Sequence, residues 1–129
     1  MDDYLAEAAK PRHFRFRELS RYHLGQLDQF LSLCRENHIK AIVYVPPYHP
    51  RLAALWERET RLRELKGQLL GFLASQAARG GVTVHDFSDP RTFGGTEGMF
   101  LDALHPDAEA NCRMVDVMLA DNLGQGSVR

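Results

Sequence analysis

The chain has 129 residues and a formal net charge of −1, with 16 basic and 17 acidic side chains. That length is typical of one domain, and 44% hydrophobic with 26% charged residues excludes general disorder. The charge balance creates no overall field toward nucleic acid or an anionic membrane. Two cysteines exclude a disulfide scaffold and a four-cysteine zinc site. No apolar run approaches the ~20 residues that span a bilayer, and the acidic N-terminus lacks the apolar core of a signal peptide.

Residues 1–19 are predicted to form a lead-in arm. Pro11 interrupts any early helix, and residues 13–17 alternate basic with aromatic side chains, which favours a short edge strand or an extended arm. The arm is locally basic, and we interpret it as solvated or docked on a partner rather than as a nucleic-acid site. Residues 124–129 are predicted to be a tail, so the folded domain is expected over 20–123.

Hydrophobic periodicity predicts alternating helices and strands in this domain. Apolar side chains recur every three or four residues over 20–38 and over 50–78, which predicts one helix in each range. The runs 41–45 and 82–87 are rich in β-branched residues and are typical of buried strands. Gly67 and Gly71 lie inside the second helix and suggest close packing against a neighbour. A long loop is predicted over 88–104, and the last helix begins near Pro106 and ends before Gly124.

The order strand, helix, strand predicts a crossover connection and therefore a parallel sheet. The predicted fold class is α/β, with a parallel sheet flanked by helices. Two strands alone leave an apolar edge, which is an association hazard unless it is covered. We therefore expect a third strand from residues 14–17, a larger domain of which this chain is part, or a homo-oligomer formed through the sheet edge or the helices.

The most informative motif is Asp102-x-x-His105, just before the last predicted helix. At this spacing the carboxylate can accept the Nδ1 proton of the imidazole, which leaves Nε2 free to act as a general base toward a hydroxyl. The alternative is that His105 only caps the helix and Asp102 is a loop acid. The motif follows a glycine-rich loop after a parallel strand, and ligands of open α/β sheets bind beyond the carboxyl ends of the strands. That position favours the catalytic interpretation.

This motif resembles the last sequence block of the SGNH (GDSL-type) hydrolase superfamily. In that block an Asp-x-x-His pair before the final helix supplies two members of a Ser–His–Asp triad. Residues 41–50 and the helix after them also resemble SGNH-like proteins of bacterial cell-surface polysaccharide modification. The resemblance covers about residues 20–122 in layout, as the C-terminal half of such a domain. It implies part of a three-layer α/β/α sandwich.

The resemblance also implies an ester hydrolase or acyltransferase, acting on an ester such as an acetylated carbohydrate. Asp102 would orient His105, and His105 would be the base. The superfamily's nucleophile lies in a Gly-Asp-Ser type motif near the N-terminus, and no serine of this chain has that context. The serine and the oxyanion donors are therefore expected from outside this chain, which alone should be inactive. The alternative function is a non-catalytic binding or assembly module.

Residues 46–50, Pro-Pro-Tyr-His-Pro, form a second candidate element at the end of the first strand. Their three prolines would hold Tyr48 and His49 in a stiff loop, which suits ligand positioning. The alternative is that the prolines only end the strand and start the helix. Pro47, Tyr48 and His49 are the candidate binding residues here, together with Gly95 and Thr96 of the long loop.

No metal and no cofactor is predicted. His49, His85, Asp102 and His105 could converge, but neither His-x-x-x-His nor Cys-x-x-Cys occurs with them. His85 is expected to be a strand residue with a satisfied hydrogen bond. The sequence leaves the compartment open. We expect a soluble chain, cytoplasmic if it is complete and extracytoplasmic if it was excised from a longer protein.

Overall fold

A computed structural model describes residues 17–124. Within them, helices and strands alternate as predicted, except that two helices lie between the strands: α1 Arg21–Glu36, β1 Ala41–Val45, α2 Pro50–Glu59, α3 Leu62–Ala78, β2 Val82–Asp86 and α4 Ala108–Gly124. Two short 3₁₀ helices, Pro90–Phe93 and Glu97–Met99, lie between β2 and α4. The predicted arm and its strand lie outside the described residues up to residue 16, as does the predicted tail from residue 125.

The two strands form a parallel sheet with helices against both of its faces. β1 pairs with β2 in register over their whole length. On one face, the Thr83 hydroxyl donates a hydrogen bond to Asn122 Oδ1 of α4 at 3.2 Å. Successive strand residues point to opposite faces, and Val82 and Val84 line a groove with Leu70 of α3 on the other face. The predicted α/β class, with a parallel sheet flanked by helices, is confirmed.

The single helix predicted over 50–78 is wrong, because two helices occupy that range. Thr60 adopts an extended conformation, with φ −136° and ψ 177°. Its hydroxyl donates to the Trp56 carbonyl at 2.6 Å and accepts from the Leu62 amide at 3.1 Å. A threonine side chain that bonds nearby backbone groups offers the chain an alternative to helical hydrogen bonds. The two helices are therefore separated by a local side-chain effect that hydrophobic periodicity does not reveal.

Helix α3 packs on α1 through polar groups rather than through its glycines. A Cβ built on Gly67 or on Gly71 would meet nothing within 4 Å, so the predicted close packing at these glycines is wrong. The contact lies at the end of α3, where Gln76 donates to Asp28 Oδ1 at 2.8 Å and Arg79, the residue after the helix, pairs with the same oxygen at 2.6 Å. These two hydrogen bonds, Gln76 first, hold the pKa of Asp28 below its ordinary value.

The core is divided into separate clusters of buried side chains. One cluster joins the segment after β2 to α4 and contains Phe87, Phe93, Ala110 and Met114. A second cluster joins α2 to the loop before α4 and contains Leu52, Trp56 and Ala103. The second cluster lies directly beneath the Asp102 loop, because Ala103 is the next residue in the chain.

The sheet keeps an open edge at β1. Among the described residues, β1 pairs only with β2. On the face that β1 shares with Thr83 and His85, Ile42 is 41% exposed and Tyr44 46% exposed. Among the described residues β2 is likewise paired only with β1, so both outer edges of the sheet lack a strand partner, and β1 is the strand with exposed apolar side chains.

Candidate active site

The Asp102 carboxylate and the His105 imidazole form the predicted hydrogen bond. His105 Nδ1 lies 2.8 Å from Asp102 Oδ2 and 3.0 Å from Oδ1. A carboxylate only accepts hydrogen bonds, so the proton must be on Nδ1 and the lone pair of the neutral ring on Nε2. Nε2 makes no hydrogen bond within residues 17–124. This arrangement is the one that a general base toward a hydroxyl requires.

Local backbone bonds hold these two residues together. Asp102 Oδ1 also accepts from the Leu104 amide at 2.7 Å and from the His105 amide at 2.9 Å. An antiparallel bridge between Phe100 and Pro106 closes the loop on either side of the pair. The side chain of Asp102 therefore fixes the turn and orients the ring at the same time.

Helix α4 is capped by Asp107 and not by His105. Asp107 Oδ1 accepts from the Ala110 amide at 2.8 Å, and its carbonyl accepts from the Asn111 amide at 3.1 Å. The alternative interpretation of His105 as the helix cap is therefore wrong. The histidine ring is left free of the helix end, with 68% of its side chain exposed.

Electrostatics keep the acid of the pair ionised. The hydrogen bond from the His105 side chain, followed by those from the Leu104 and His105 amides, holds the pKa of Asp102 below its ordinary value. Hydrogen bonds to the charged form of a carboxyl group favour that form. An ionised Asp102 can stabilise the imidazolium that forms when His105 takes up a proton.

The loop of residues 46–50 lies beside the Asp102 loop, as expected for two loops at the carboxyl ends of parallel strands. The His49 amide donates to the Ala103 carbonyl at 3.1 Å. The His49 ring meets the Phe100 ring edge to face, with centroids 5.4 Å apart. These contacts join the end of β1 to the segment that carries the catalytic candidates.

The three binding candidates of this loop differ in accessibility. Pro47 is fully buried, and His49 is 4% exposed. His49 Nδ1 accepts from the Arg51 amide at 3.2 Å, which caps α2, so that nitrogen is already used. Tyr48 is half-buried, and its ring packs edge-on against the Trp56 ring, with the ring centroids 4.9 Å apart. Tyr48 also lines the pocket that contains Val45 and Lys66.

Gly95 and Thr96 lie in the connection between the two 3₁₀ helices. A Cβ on Gly95 would come within 2.5 Å of the Phe93 ring, so only glycine fits there. Thr96 is exposed, and its carbonyl accepts from the Met99 amide at 3.1 Å. Gly94, just before them, has φ +70° and accepts a hydrogen bond from Arg113 of α4. These contacts explain the shape of the loop, and none of them joins it to His105.

No serine in the described part of the chain is hydrogen-bonded to His105. Each of the four has another partner. Ser20 accepts from the His23 amide, Ser32 from arginine side chains, Ser75 donates to the Phe72 carbonyl, and Ser88 accepts from Lys66. Ser127 lies outside the described residues. The expectation that the nucleophile comes from outside this chain stays a prediction.

Sequence reasoning missed Lys66 and Ser88. Lys66 Nζ lies 3.1 Å from Ser88 Oγ, and both line a pocket beside β1. Lys66 is one position from Leu65 and three from Leu69, so it borders the apolar stripe of α3. A lysine beside the apolar stripe was the sequence feature that could have indicated a polar group in this pocket. Its partner, Ser88, is 22 residues further along the chain, and only the fold brings the two side chains together.

Within residues 17–124, His85 and the other possible ligands do not form a metal site. No three His, Cys, Asp or Glu side chains there are grouped to hold a metal ion, and no helix there is long and apolar enough to cross a membrane. His85 is 8% exposed, its Nδ1 is 3.7 Å from Asp121, and its Nε2 has no partner there. The satisfied hydrogen bond expected for His85 is therefore wrong. The ring instead stacks on Phe87.

Comparison with known proteins adds no relative. The chain matches no family model, no curated protein and no solved structure.

Proposed function

We propose that this chain carries the Asp–His half of an SGNH-type ester hydrolase or acyltransferase site. Asp102 is the orienting acid, and His105 is the general base. One observation carries the proposal: a hydrogen-bonded Asp102–His105 pair, 2.8 Å between Oδ2 and Nδ1, with an exposed ring at the carboxyl edge of a parallel sheet. The same proposal makes β1 and β2 the last strands of a partial three-layer sandwich.

The chemistry follows from the two ring nitrogens of His105. Nε2 takes the proton from a serine hydroxyl as the serine oxygen attacks the ester carbonyl, and the imidazolium is stabilised by the ionised Asp102. His105 then returns the proton to the leaving alkoxide, which completes acyl transfer to the serine. Water or a second alcohol then attacks the acyl-serine while His105 takes its proton. The serine leaves as His105 returns that proton to the serine oxygen. The serine and the oxyanion donors come from outside this chain, and the substrate class, an ester such as an acetylated carbohydrate, rests on the sequence resemblance.

The orientation of the pair is tested by nitrogen-15 NMR of the histidine side chains. In the wild-type chain, neutral His105 is expected to be protonated on Nδ1. Asp102→Ala removes the acceptor and should shift His105 toward the mixed tautomers of a free imidazole. Asp116→Ala, which removes an exposed acid of α4, is the matched control and should change nothing at His105. A protonated Nε2 in the wild-type chain would refute the assigned base.

The catalytic assignment is tested with 4-nitrophenyl acetate. Without an activated serine, the acyl-serine intermediate of the proposed reaction cannot form. We expect little or no turnover and no burst; any residual hydrolysis should be lost in His105→Ala and kept in His23→Ala, which removes an exposed histidine of α1. Hydrolysis that is unchanged in His105→Ala would refute the base. A burst equal to the amount of chain and abolished in His105→Ala would instead show an acyl-enzyme, and an acetyl group mapped to a serine by mass spectrometry would make that serine the nucleophile.

A second candidate function, assembly through the sheet, is favoured by the open edge of β1. Ile42 and Tyr44 are more than two-fifths exposed there. An unpaired strand edge with apolar side chains is a template for pairing with another chain. Light scattering is expected to show a concentration-dependent oligomer that Tyr44→Lys dissociates. Leu101→Lys, at a residue 74% exposed in the Asp102 loop, should leave it intact. A monodisperse monomer at all concentrations would refute this function.

A further inference from the structure

A pocket of about 380 Å³ opens at the carboxyl edge of the sheet. Its floor is the end of β1, its walls come from α2 and α3, and its apolar lining includes Val45, Tyr48, Ala53, Leu62, Leu65 and Leu69. Small-molecule sites are typically concave and mostly apolar, with a few placed polar groups. The pocket has this composition, and the proposed catalytic pair makes no use of it.

The polar groups of the pocket gather around Lys66. Its amine lies 3.1 Å from the Ser88 hydroxyl and 3.9 Å from Glu57 Oε1. Lys66 therefore supplies donors to an oxygen atom placed at this end of the pocket. Glu18 and Glu57 also line it, so one positive charge faces two negative charges. This balance favours a ligand that accepts a hydrogen bond but carries no negative charge.

We propose that this pocket binds an uncharged acyl group of about ten carbons, with its carbonyl oxygen toward Lys66 and Ser88. At roughly 30 Å³ for each water-sized group, 380 Å³ holds about twelve non-hydrogen atoms. An ester-linked decanoyl group, with two oxygens, has that number. Binding does not require His105 to be catalytic, so this inference goes beyond the proposed function.

The pocket is connected to the candidate active site through one buried cluster. Tyr48 lines the pocket and also packs against Trp56, which belongs to the same buried cluster as Ala103. An acyl group bound here would therefore lie at the same edge of the sheet as the Asp102 loop. The competing occupant is the chain's own N-terminal part, because Leu19 and Ser20 line the pocket and Phe14 and Phe16 precede them in sequence.

Titration calorimetry with 1-monoacylglycerols, below their aggregation concentrations, tests the proposal on the full chain. Each buried methylene strengthens binding by about threefold to fourfold. We therefore expect affinity to rise from butanoyl to decanoyl glycerol and to level off beyond about ten carbons. Decanoyl glycerol should bind more tightly than decanoate, because the pocket carries two acids and one amine. Binding without dependence on chain length, or tighter binding of decanoate, would overturn the proposal.

Matched variants locate the site. Ala53→Phe places a ring in the pocket and should weaken decanoyl glycerol binding at least tenfold. Ala54→Phe, at the neighbouring exposed position of α2, should leave it within twofold. Lys66→Met keeps an apolar stem without donors and should weaken binding about fivefold, which tests the carbonyl contact even if Ala53→Phe fails to fold. If Ala53→Phe, Ala54→Phe and Lys66→Met all bind decanoyl glycerol with the same affinity, the assignment of the site is overturned.

Two further variants separate this inference from the alternatives. His105→Ala should bind decanoyl glycerol as the wild-type chain does, whether or not the catalytic proposal holds. A loss of binding in His105→Ala would overturn the independence of the pocket from the catalytic pair. Phe14→Ala combined with Phe16→Ala should also leave the affinity within twofold. A rise above tenfold in that variant would show that the chain's own residues fill the pocket, and would overturn the proposal of a separate ligand.

Discussion

Truncation of Leu52 tests whether the cluster beneath the Asp102 loop contributes to stability. Leu52 is 0% exposed and packs with Trp56 and Ala103. Leu52→Ala removes three carbon groups, at about 0.8 kcal/mol each, and leaves a cavity that the small Ala103 side chain cannot fill. Loss of burial and the residual cavity together are expected to lower the free energy of unfolding by about 3 kcal/mol. Urea denaturation followed by circular dichroism measures this change.

The local consequence can be followed at the same time. Trp56 is the single tryptophan of the chain and is 2% exposed, so its emission should shift to the red when the cavity admits water. The nitrogen-15 signals of His105 should stay unchanged, because the hydrogen bonds that hold it to Asp102 are local. The matched control is Leu101→Ala, at a side chain 74% exposed, which should change stability by less than about 0.5 kcal/mol. A loss below 1 kcal/mol in Leu52→Ala, or an equal loss in both variants, would refute this account of the core.

Three further predictions concern hydrogen bonds. Thr60→Ala should lower the free energy of unfolding by about 1 kcal/mol in urea denaturation, in the range of a lost helix cap. Thr60→Ser keeps the hydroxyl and should lower it much less. Equal losses in the two variants would contradict the role of the hydroxyl. Hydrogen bonds from Gln76 and then from Arg79 lower the pKa of Asp28. Ionised Asp28 therefore stabilises the fold fully above the ordinary aspartate pKa of about 3.9, and this stabilisation is lost as the pH falls through the lowered pKa. Asp28→Asn should therefore flatten stability against pH below about pH 4, and an unchanged slope would contradict the shift. The pKa of Asp102 is lowered chiefly by the His105 side chain, so carbon-13 NMR should show it rising in His105→Ala, and an unchanged pKa would mean that backbone amides alone hold it.

The features that could be predicted from the sequence are those decided by neighbouring residues. A three-residue spacing is enough for the Asp102 carboxylate to reach both the His105 amide and its Nδ1. The strands were likewise predictable, because a run such as Ala41–Val45 is apolar at every position. Their parallel pairing followed from the intervening helical segment, since parallel strands require a crossover.

The features that escaped prediction depend on groups that are distant in sequence or on one side chain overriding a periodic pattern. Apolar residues recur at helical spacing on both sides of Thr60, so periodicity alone predicts one helix. The threonine hydroxyl instead separates two helices at this position. The glycines of α3 suggested close contact, yet the contact with α1 is made by Gln76 and Asp28, which are 48 residues apart. Whether a glycine faces a neighbour depends on helix rotation, and helix rotation is set by such long-range bonds.

The geometry of the candidate site is set by neighbouring residues, and its location is set by residues that are distant in sequence. The Asp102–His105 pair is held within one turn, so its geometry needs little support from the rest of the fold. Its location does need that support: the His49 amide donates to the Ala103 carbonyl, and this bond connects the turn to the end of β1. Because His49 also caps α2 with its ring, one residue joins the strand end, the helix start and the Asp102 turn. His49→Ala keeps the amide but removes the ring, with its cap on α2 and its edge-to-face contact with Phe100. The variant should therefore preserve the Asp102–His105 pair while loosening its position, so that the tautomer of His105 persists as the Asp102 loop becomes more mobile in NMR relaxation. A change of tautomer in His49→Ala would mean that the pair is not held locally.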